Sequence, residues 1–183
     1  VLAAVSIAYT LGESVGRLAC ISFGCCYGKP IDALPPGLQR IFGRWHFVFF
    51  GGTKKIAYAD HLAGVRVVPI QGLTAVFFAL AGLAGILLYV HGAFRTAFLL
   101  TLSATQLWRF GSEFLRADHR GGGRISAYQI MALVSVAYGL ILALLWPSSG
   151  SAPHRPEILA GLRLLWHPGW LLALQALWLA SFL

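Results

Sequence analysis

The stretch VVPIQGLTAVFFALAGLAGILLYVHGAF, Val67 to Phe94, contains no Asp, Glu, Lys or Arg. A helix needs about 20 apolar residues to cross a hydrocarbon core about 30 Å thick, and Ile70 to Val90 supplies them. Working outward, Ile125 to His154 is also free of charge and predicts a second span from about Ser126 to Trp146, stopped by Pro147-Ser148-Ser149-Gly150. Thr96 to Leu115 is apolar apart from Arg109 and Glu113, and Val1 to about Phe23 is apolar apart from Glu13 and Arg17. Leu164 to Leu183 carries no formal charge but is interrupted by His167, Pro168 and Gly169. It reads as a short span from Gly169 or as an interfacial helix rich in Trp166, Trp170 and Trp178. The expected fold is all-α: a polytopic helical membrane protein with four to five spans and one long polar loop, residues 29–66. Within that loop Pro30, Pro35, Pro36 and Gly37 break the chain early, while Trp45–Phe50 and Gly64–Val68 suit short strands or an interfacial position.

Composition excludes the soluble classes. The 183 residues are 58% hydrophobic and 11% charged, with a mean hydropathy of +0.74, where a soluble domain carries about 25% charged residues. Fourteen basic against six acidic residues give a formal charge of +8. On a soluble domain that balance points to nucleic acid. Here the basic residues lie in connections or inside apolar segments, so the expected partner is anionic lipid and not nucleic acid. The chain lacks an initiator Met and opens inside an apolar stretch, which leads us to expect that it belongs to a longer protein.

Ionisable residues inside spans cost several kcal/mol unless paired, and they point to function by default. Glu13 and Arg17 are four apart, as are Arg109 and Glu113, with Arg116 about a turn later. Spacing of i,i+4 puts both members of a pair on one helix face. Each pair on its own reads equally well as a self-neutralised clamp between helices. Two pairs in separate spans plus a third Arg favour a polar cavity for an anionic headgroup, because a guanidinium fork fits phosphate and keeps its charge. Arg17 and Arg109 are therefore expected to face one cavity.

The segment from Gly16-Arg17 to Gly28-Lys29 holds Cys20, Cys25 and Cys26 between small residues. Their spacing matches no common zinc or iron–sulfur pattern, and buried Cys is often a small hydrophobe. No metal and no cofactor are expected. Five residues advance about 140° net on a helix, so Cys20 and Cys25 meet only if the helix breaks, and Gly24 is the place for it. A thiol beside two arginines is expected to have a lowered pKa.

Gly16-Arg17 through Gly28-Lys29 resembles the signature of the prolipoprotein diacylglyceryl transferase family. Val68-Pro69-Ile70-Gln71 resembles its Pro-x-Gln element. Arg109-Phe110-Gly111-Ser112-Glu113-Phe114-Leu115-Arg116 resembles its Arg-Phe-x-x-Glu-Phe-x-Arg motif, followed by Asp118, a Gly-rich loop and Ser126-Ala127-Tyr128-Gln129. These elements come in family order over Gly16 to about Leu145. The resemblance implies a bacterial inner (cytoplasmic) membrane, multi-pass enzyme that moves diacylglyceryl from phosphatidylglycerol, or a similar anionic glycerolipid, to a lipoprotein cysteine thiol. It implies catalytic roles for Arg17, Arg109 and Glu113, with the arginines on phosphate and Glu113 orienting Arg109 or Arg116. It implies substrate contacts from Arg116, Gly24, Gly28, Gln71, Gln129, Cys20 and Cys25. The family signature usually has Asn where Cys20 stands and Glu where Cys25 stands; Thr105 stands where it has Tyr.

Those replacements leave a second expectation open, a non-catalytic member acting as a lipid-binding or scaffold subunit of a larger membrane complex. The expected division is a transferase-like membrane domain, 1–147, and an added Trp-rich apolar segment, 148–183, that offers a surface to other membrane subunits. Charge counting would put the loop of Lys29 to Arg66 and the Arg116–Arg124 connection in the cytoplasm. The resemblance implies the periplasmic side for both, and we follow it because anionic lipid accounts for many of these arginines and the rule weakens in long loops.

Overall fold

The computed structural model describes residues 1–117, 125–145, 157–164 and 166–181. Asp118, Arg120, Arg124, the Gly-rich loop, Trp146 and the Pro147–Gly150 stop lie outside the described residues. Among those described, the chain is mainly helical: α1 (Leu2–Phe23), α2 (Pro36–Phe42), α3 (Lys55–Asp60), α4 (Ile70–Val90), α5 (Phe94–Ser112), α6 (Ala127–Leu145), α7 (Ile158–Leu164) and α8 (Pro168–Ala180). Two short strands, β1 (Phe47–Val48) and β2 (Arg66–Val67), pair antiparallel with Phe47 opposite Val67, within the two stretches that the sequence offered as strands, and the rest of the described fold is helical as expected.

α4 and α6 combine the length and the apolarity needed to cross a membrane. α1 and α5, at 22 and 19 residues, reach about 33 and 28 Å at 1.5 Å per residue but carry charges. α8 has 13 residues, about 20 Å, short of a 30 Å core. α5 ends one residue before Glu113, which opens a 3₁₀ turn, Glu113–Leu115. Glu113 keeps helical backbone, φ −60° and ψ −31°, and its N–H still reaches Arg109 O, so the two residues stand one turn apart as the spacing predicts.

α1, α4, α5 and α6 pack through small and hydroxyl residues, the means by which helices approach where lipid supplies no hydrophobic drive. Ser14 Oγ donates to Ala75 O at 2.7 Å, and Ser6 and Thr101 hydroxyls meet at 2.8 Å. A Cβ on Gly85 would lie 2.5 Å from Thr101 Cγ2 and 3.0 Å from Ile7 Cγ1, so glycine lets three helices converge there.

Residues 29–66 are not an open loop. Pro36 opens α2, where a missing N–H costs nothing. The ribbon then closes over a core of Tyr27, Phe49, Ile56 and Val67, and Tyr27, fully buried, donates its hydroxyl to Asp60. A second apolar cluster, Ile31, Leu34, Phe42, Val68 and Ile70, seats this cap on the start of α4.

Candidate active site

On α1, Tyr9, Glu13 and Arg17 recur every four residues and so share a face. Arg17 Nη2 donates to Glu13 Oε1 at 2.5 Å. The same oxygen lies 3.5 Å from Arg109 Nη2 of α5, and Arg109 Nη1 makes a long contact, 3.5 Å, to the Tyr9 hydroxyl. Glu13 thus bridges two arginines that are 92 positions apart. The side chains of Glu13 and Arg17 are only 15% and 13% exposed, while Arg109 is more open at 38%. Glu13 Oε2 and Arg17 Nε are buried and find no hydrogen-bond partner among the described residues.

A polar cavity of about 210 Å³ is lined by Arg17, Arg109, Glu113 and Arg116, with Thr74, Trp108, Ser112 and Tyr128 completing its wall. Three guanidinium groups against Glu13 and Glu113 leave one formal positive charge. Trp108 Nε1 donates to Thr74 Oγ1 at 2.9 Å, and its ring stacks on Phe77 with centroids 4.5 Å apart. Trp108 also forms part of a larger apolar groove, about 720 Å³, lined by Phe42, Trp45, Phe47, Leu73 and Phe77 among others. An arginine-lined cavity and an apolar groove therefore share one indole as partition.

Arg116 is held by its backbone. Gly28 and Arg116 form an antiparallel bridge, Lys29 N–H donates to Leu115 O at 2.8 Å, and Ala117 N–H donates to Tyr27 O at 3.2 Å. On the other side Val68 N–H donates to Lys29 O at 3.0 Å. A Cβ on Gly28 would stand 2.5 Å from Val68 O, so no larger residue fits between the two flanking segments.

The other residues singled out in the sequence are not among the cavity's lining. Gly24 caps α1 in the left-handed region, φ 60°, and its N–H meets Cys20 O and Ile21 O, the break the cysteine spacing requires. Gln71, 1% exposed, donates from Nε2 to Cys25 O at 2.9 Å, and its Oε1 has no partner among the described residues. Gln129 caps α6: its Oε1 accepts from Ser126 N–H at 2.9 Å, its own N–H donates to Ser126 Oγ at 3.3 Å, and its Nε2 donates to Phe110 O at 3.1 Å. This is a capping box, and it leaves little of the Gln129 amide for a ligand. Cys20 and Cys25 converge beside Gly24. Burial, reinforced by the neighbouring Cys26 and Cys20 thiols, pushes the Cys25 thiol up to about 12, opposite to the lowering expected from arginine. The sequence did not assign Tyr9, Thr74, Trp108, Ser112 or Tyr128 to the site. Signals were available for three of them: Tyr9 recurs at four-residue spacing with Glu13 and Arg17, and Ser112 and Tyr128 sit inside the stretches that carry the family resemblance.

Residues 1–145 match the prolipoprotein diacylglyceryl transferase family. The chain belongs to this family. Its curated relatives include phosphatidylglycerol–prolipoprotein diacylglyceryl transferases of Dehalococcoides mccartyi. The protein of one strain is 26% identical over 140 residues, 72% of this chain and 45% of the relative. That of another is 28% identical over 130 residues, 69% and 44%. The chain thus spans less than half the length of these relatives. No solved structure matches it. The family match ends where α6 ends, so α7 and α8 lie beyond it.

Proposed function

We propose that this chain transfers diacylglyceryl from phosphatidylglycerol, or a similar anionic glycerolipid, to a lipoprotein cysteine thiol in a bacterial inner membrane. In this reading α1, α4, α5 and α6 are four spans, and the cap and Arg116 lie at the periplasmic face. The observation that carries it is the partition at Trp108. A headgroup phosphate fits the cavity of net positive charge, and acyl chains fit the apolar groove on the other side of the indole.

In the reaction the acceptor sulfur, as thiolate, attacks the diacylglyceryl carbon bonded to the phosphate oxygen. The C–S bond forms as that C–O bond breaks, its electron pair stays on the departing glycerol phosphate, and the thiol proton passes to a base. Arg17 and Arg109 hold the phosphate and stabilise the charge growing on its oxygen, the part of the barrier that preorganised cations lower most. Glu13 positions both arginines, and Glu113 and Arg116 line the same cavity.

The test is to place the chain in phosphatidylglycerol vesicles with a lipobox peptide bearing one cysteine. The expected outcome is a peptide mass increased by diacylglyceryl on sulfur and an equal release of glycerol phosphate, slowed about 100-fold or more by Arg17→Gln or Arg109→Gln. The second reading, a non-catalytic lipid-binding or scaffold subunit, is favoured by Cys20 and Cys25 standing where the family signature has Asn and Glu. It expects phosphatidylglycerol to stay bound to the purified protein with no thioether formed, and that result would overturn the transferase proposal.

A further inference from the structure

The turn after α1 gathers three thiols. Cys20 lies in the last turn of α1, and Gly24 and Cys26 both adopt left-handed backbone, φ 60° and 57°. That conformation is uncommon outside glycine and strains the backbone at Cys26. Its result is that the Sγ atoms of Cys20, Cys25 and Cys26 all lie within 4.8 Å of one another. The spacing pointed to a break at Gly24 but not to the left-handed turn at Cys26 that brings the third thiol into the cluster.

We propose that Cys20, Cys25 and Cys26 form a three-thiolate site for a thiophilic d¹⁰ cation, Zn²⁺ or Cu⁺. With metal–sulfur bonds of about 2.3 Å, sulfurs around such an ion sit about 3.8 Å apart. The thiols therefore need to close by about 1 Å or less. Among the described residues no His, Asp or Glu joins the group, so the donor set is sulfur alone, which selects soft ions and disfavours Mg²⁺ or Ca²⁺. Three ligands complete a trigonal Cu⁺ site, or hold Zn²⁺ with one position open.

The turn is fixed before any ion arrives. Cys25 N–H donates to Cys20 O at 3.1 Å, Gly24 O accepts from Ile56 N–H at 2.9 Å, and Gln71 Nε2 holds Cys25 O at 2.9 Å. Preorganised ligands lose less freedom on binding. The site would carry negative charge, one unit with Zn²⁺ and two with Cu⁺. Lys54 lies close by to offset it, its Nζ donating to Ser22 O at 2.6 Å, and Arg17 lies one turn before Cys20. None of the three cysteines lines the arginine cavity, so the ion site stands apart from the proposed transferase chemistry.

The full chain, purified in detergent without oxygen, would be titrated separately with Zn²⁺, Cu⁺ and Mg²⁺. The expected result is one tightly held Zn²⁺ or Cu⁺ per chain, no Mg²⁺, and all three thiols protected from alkylation until a chelator is added. Co²⁺ in place of Zn²⁺ should give sulfur-to-metal charge-transfer absorption, and each of Cys20→Ser, Cys25→Ser and Cys26→Ser should weaken binding about tenfold or more. Competition between the ions identifies the preferred one. Metal content and the Co²⁺ band are read on the unaltered chain, so a misfolded variant or an inaccessible thiol does not blur the answer. Absence of stoichiometric metal and of the Co²⁺ band would overturn the proposal, as would a Cys20–Cys25 disulfide in the protein as isolated.

Discussion

Replacing Glu13 by Gln removes a charge that two helices use and leaves the shape of the side chain nearly intact. Arg17 lies against Glu13 Oε1 at 2.5 Å with both side chains largely out of solvent. At an effective dielectric constant near 20 and a charge separation of about 4 Å, that attraction is about 4 kcal/mol. The Gln oxygen still accepts a hydrogen bond, which returns about 1 kcal/mol. Arg109, 38% exposed and 3.5 Å away, adds under about 1 kcal/mol after solvent screening. The net expectation is a loss of about 2–4 kcal/mol, near the 3–5 kcal/mol typical of leaving one partner of a buried pair alone. Unfolding in detergent of Glu13→Gln, Arg17→Met and their double variant would measure it. The coupling between Glu13 and Arg17 should be at least about 1.5 kcal/mol, and the matching cycle with Arg109 under about 1 kcal/mol. Neutral single variants and zero coupling would refute the claim that a buried carboxylate holds the site together. The formal charge of the site also rises from one to two, so an anionic headgroup should bind Glu13→Gln more tightly wherever the fold survives.

Gly28→Ala should destabilise the chain by about 1–3 kcal/mol, because its methyl would meet Val68 O. It should also weaken phosphatidylglycerol binding by displacing Arg116, read by thermal unfolding and by lipid-induced Trp fluorescence change. Gln129→Ala removes the α6 cap and the Phe110 bond and should cost about 1–2 kcal/mol. It should leave lipid affinity unchanged, whereas Arg116→Gln should lower it. In chelator-treated protein, Cys25 should alkylate slowly at neutral pH, with a rate that climbs with pH until about 12. Its raised value favours the folded state below the ordinary thiol value of 9.0. That contribution is lost as pH rises from there to about 12, so stability should decline across this window; peptide-mapped labelling rates that plateau near pH 9 would contradict it.

Much of the bundle was legible in the sequence. Ile70–Val90 emerged with its observed ends because a charge-free run between Pro69 and His91 admits one reading. Arg17 and Arg109 were legible as a pair because intramembrane charge is expensive wherever it occurs. The double use of Glu13 was not, since it depends on how α1 meets α5. In residues 29–66 the two strands fall in the apolar stretches that suggested them, whereas α2 and α3, at seven and six residues, are too short for periodicity to register. Ser126 and Gln129 spell a capping box, a local use that competes with the ligand role the resemblance implies. The cysteine cluster was half legible: Gly24 announced a break, but nothing announced left-handed backbone at Cys26.

The Glu13–Arg17 contact has a consequence for biosynthesis. In the four-span reading α1 enters the bilayer before the ribosome has made Arg109, 92 residues later. At about 5–20 residues per second that interval lasts roughly 5–18 s. A lone Arg or Glu would spend it pulling α1 back toward water. Because the carboxylate and guanidinium sit one turn apart on the same helix, the nascent segment is electrically self-sufficient from its first moment in lipid. Arg109 then arrives as a second claimant on an oxygen already in place, and separating Glu13 from Arg17 should show first as failed membrane insertion during translation.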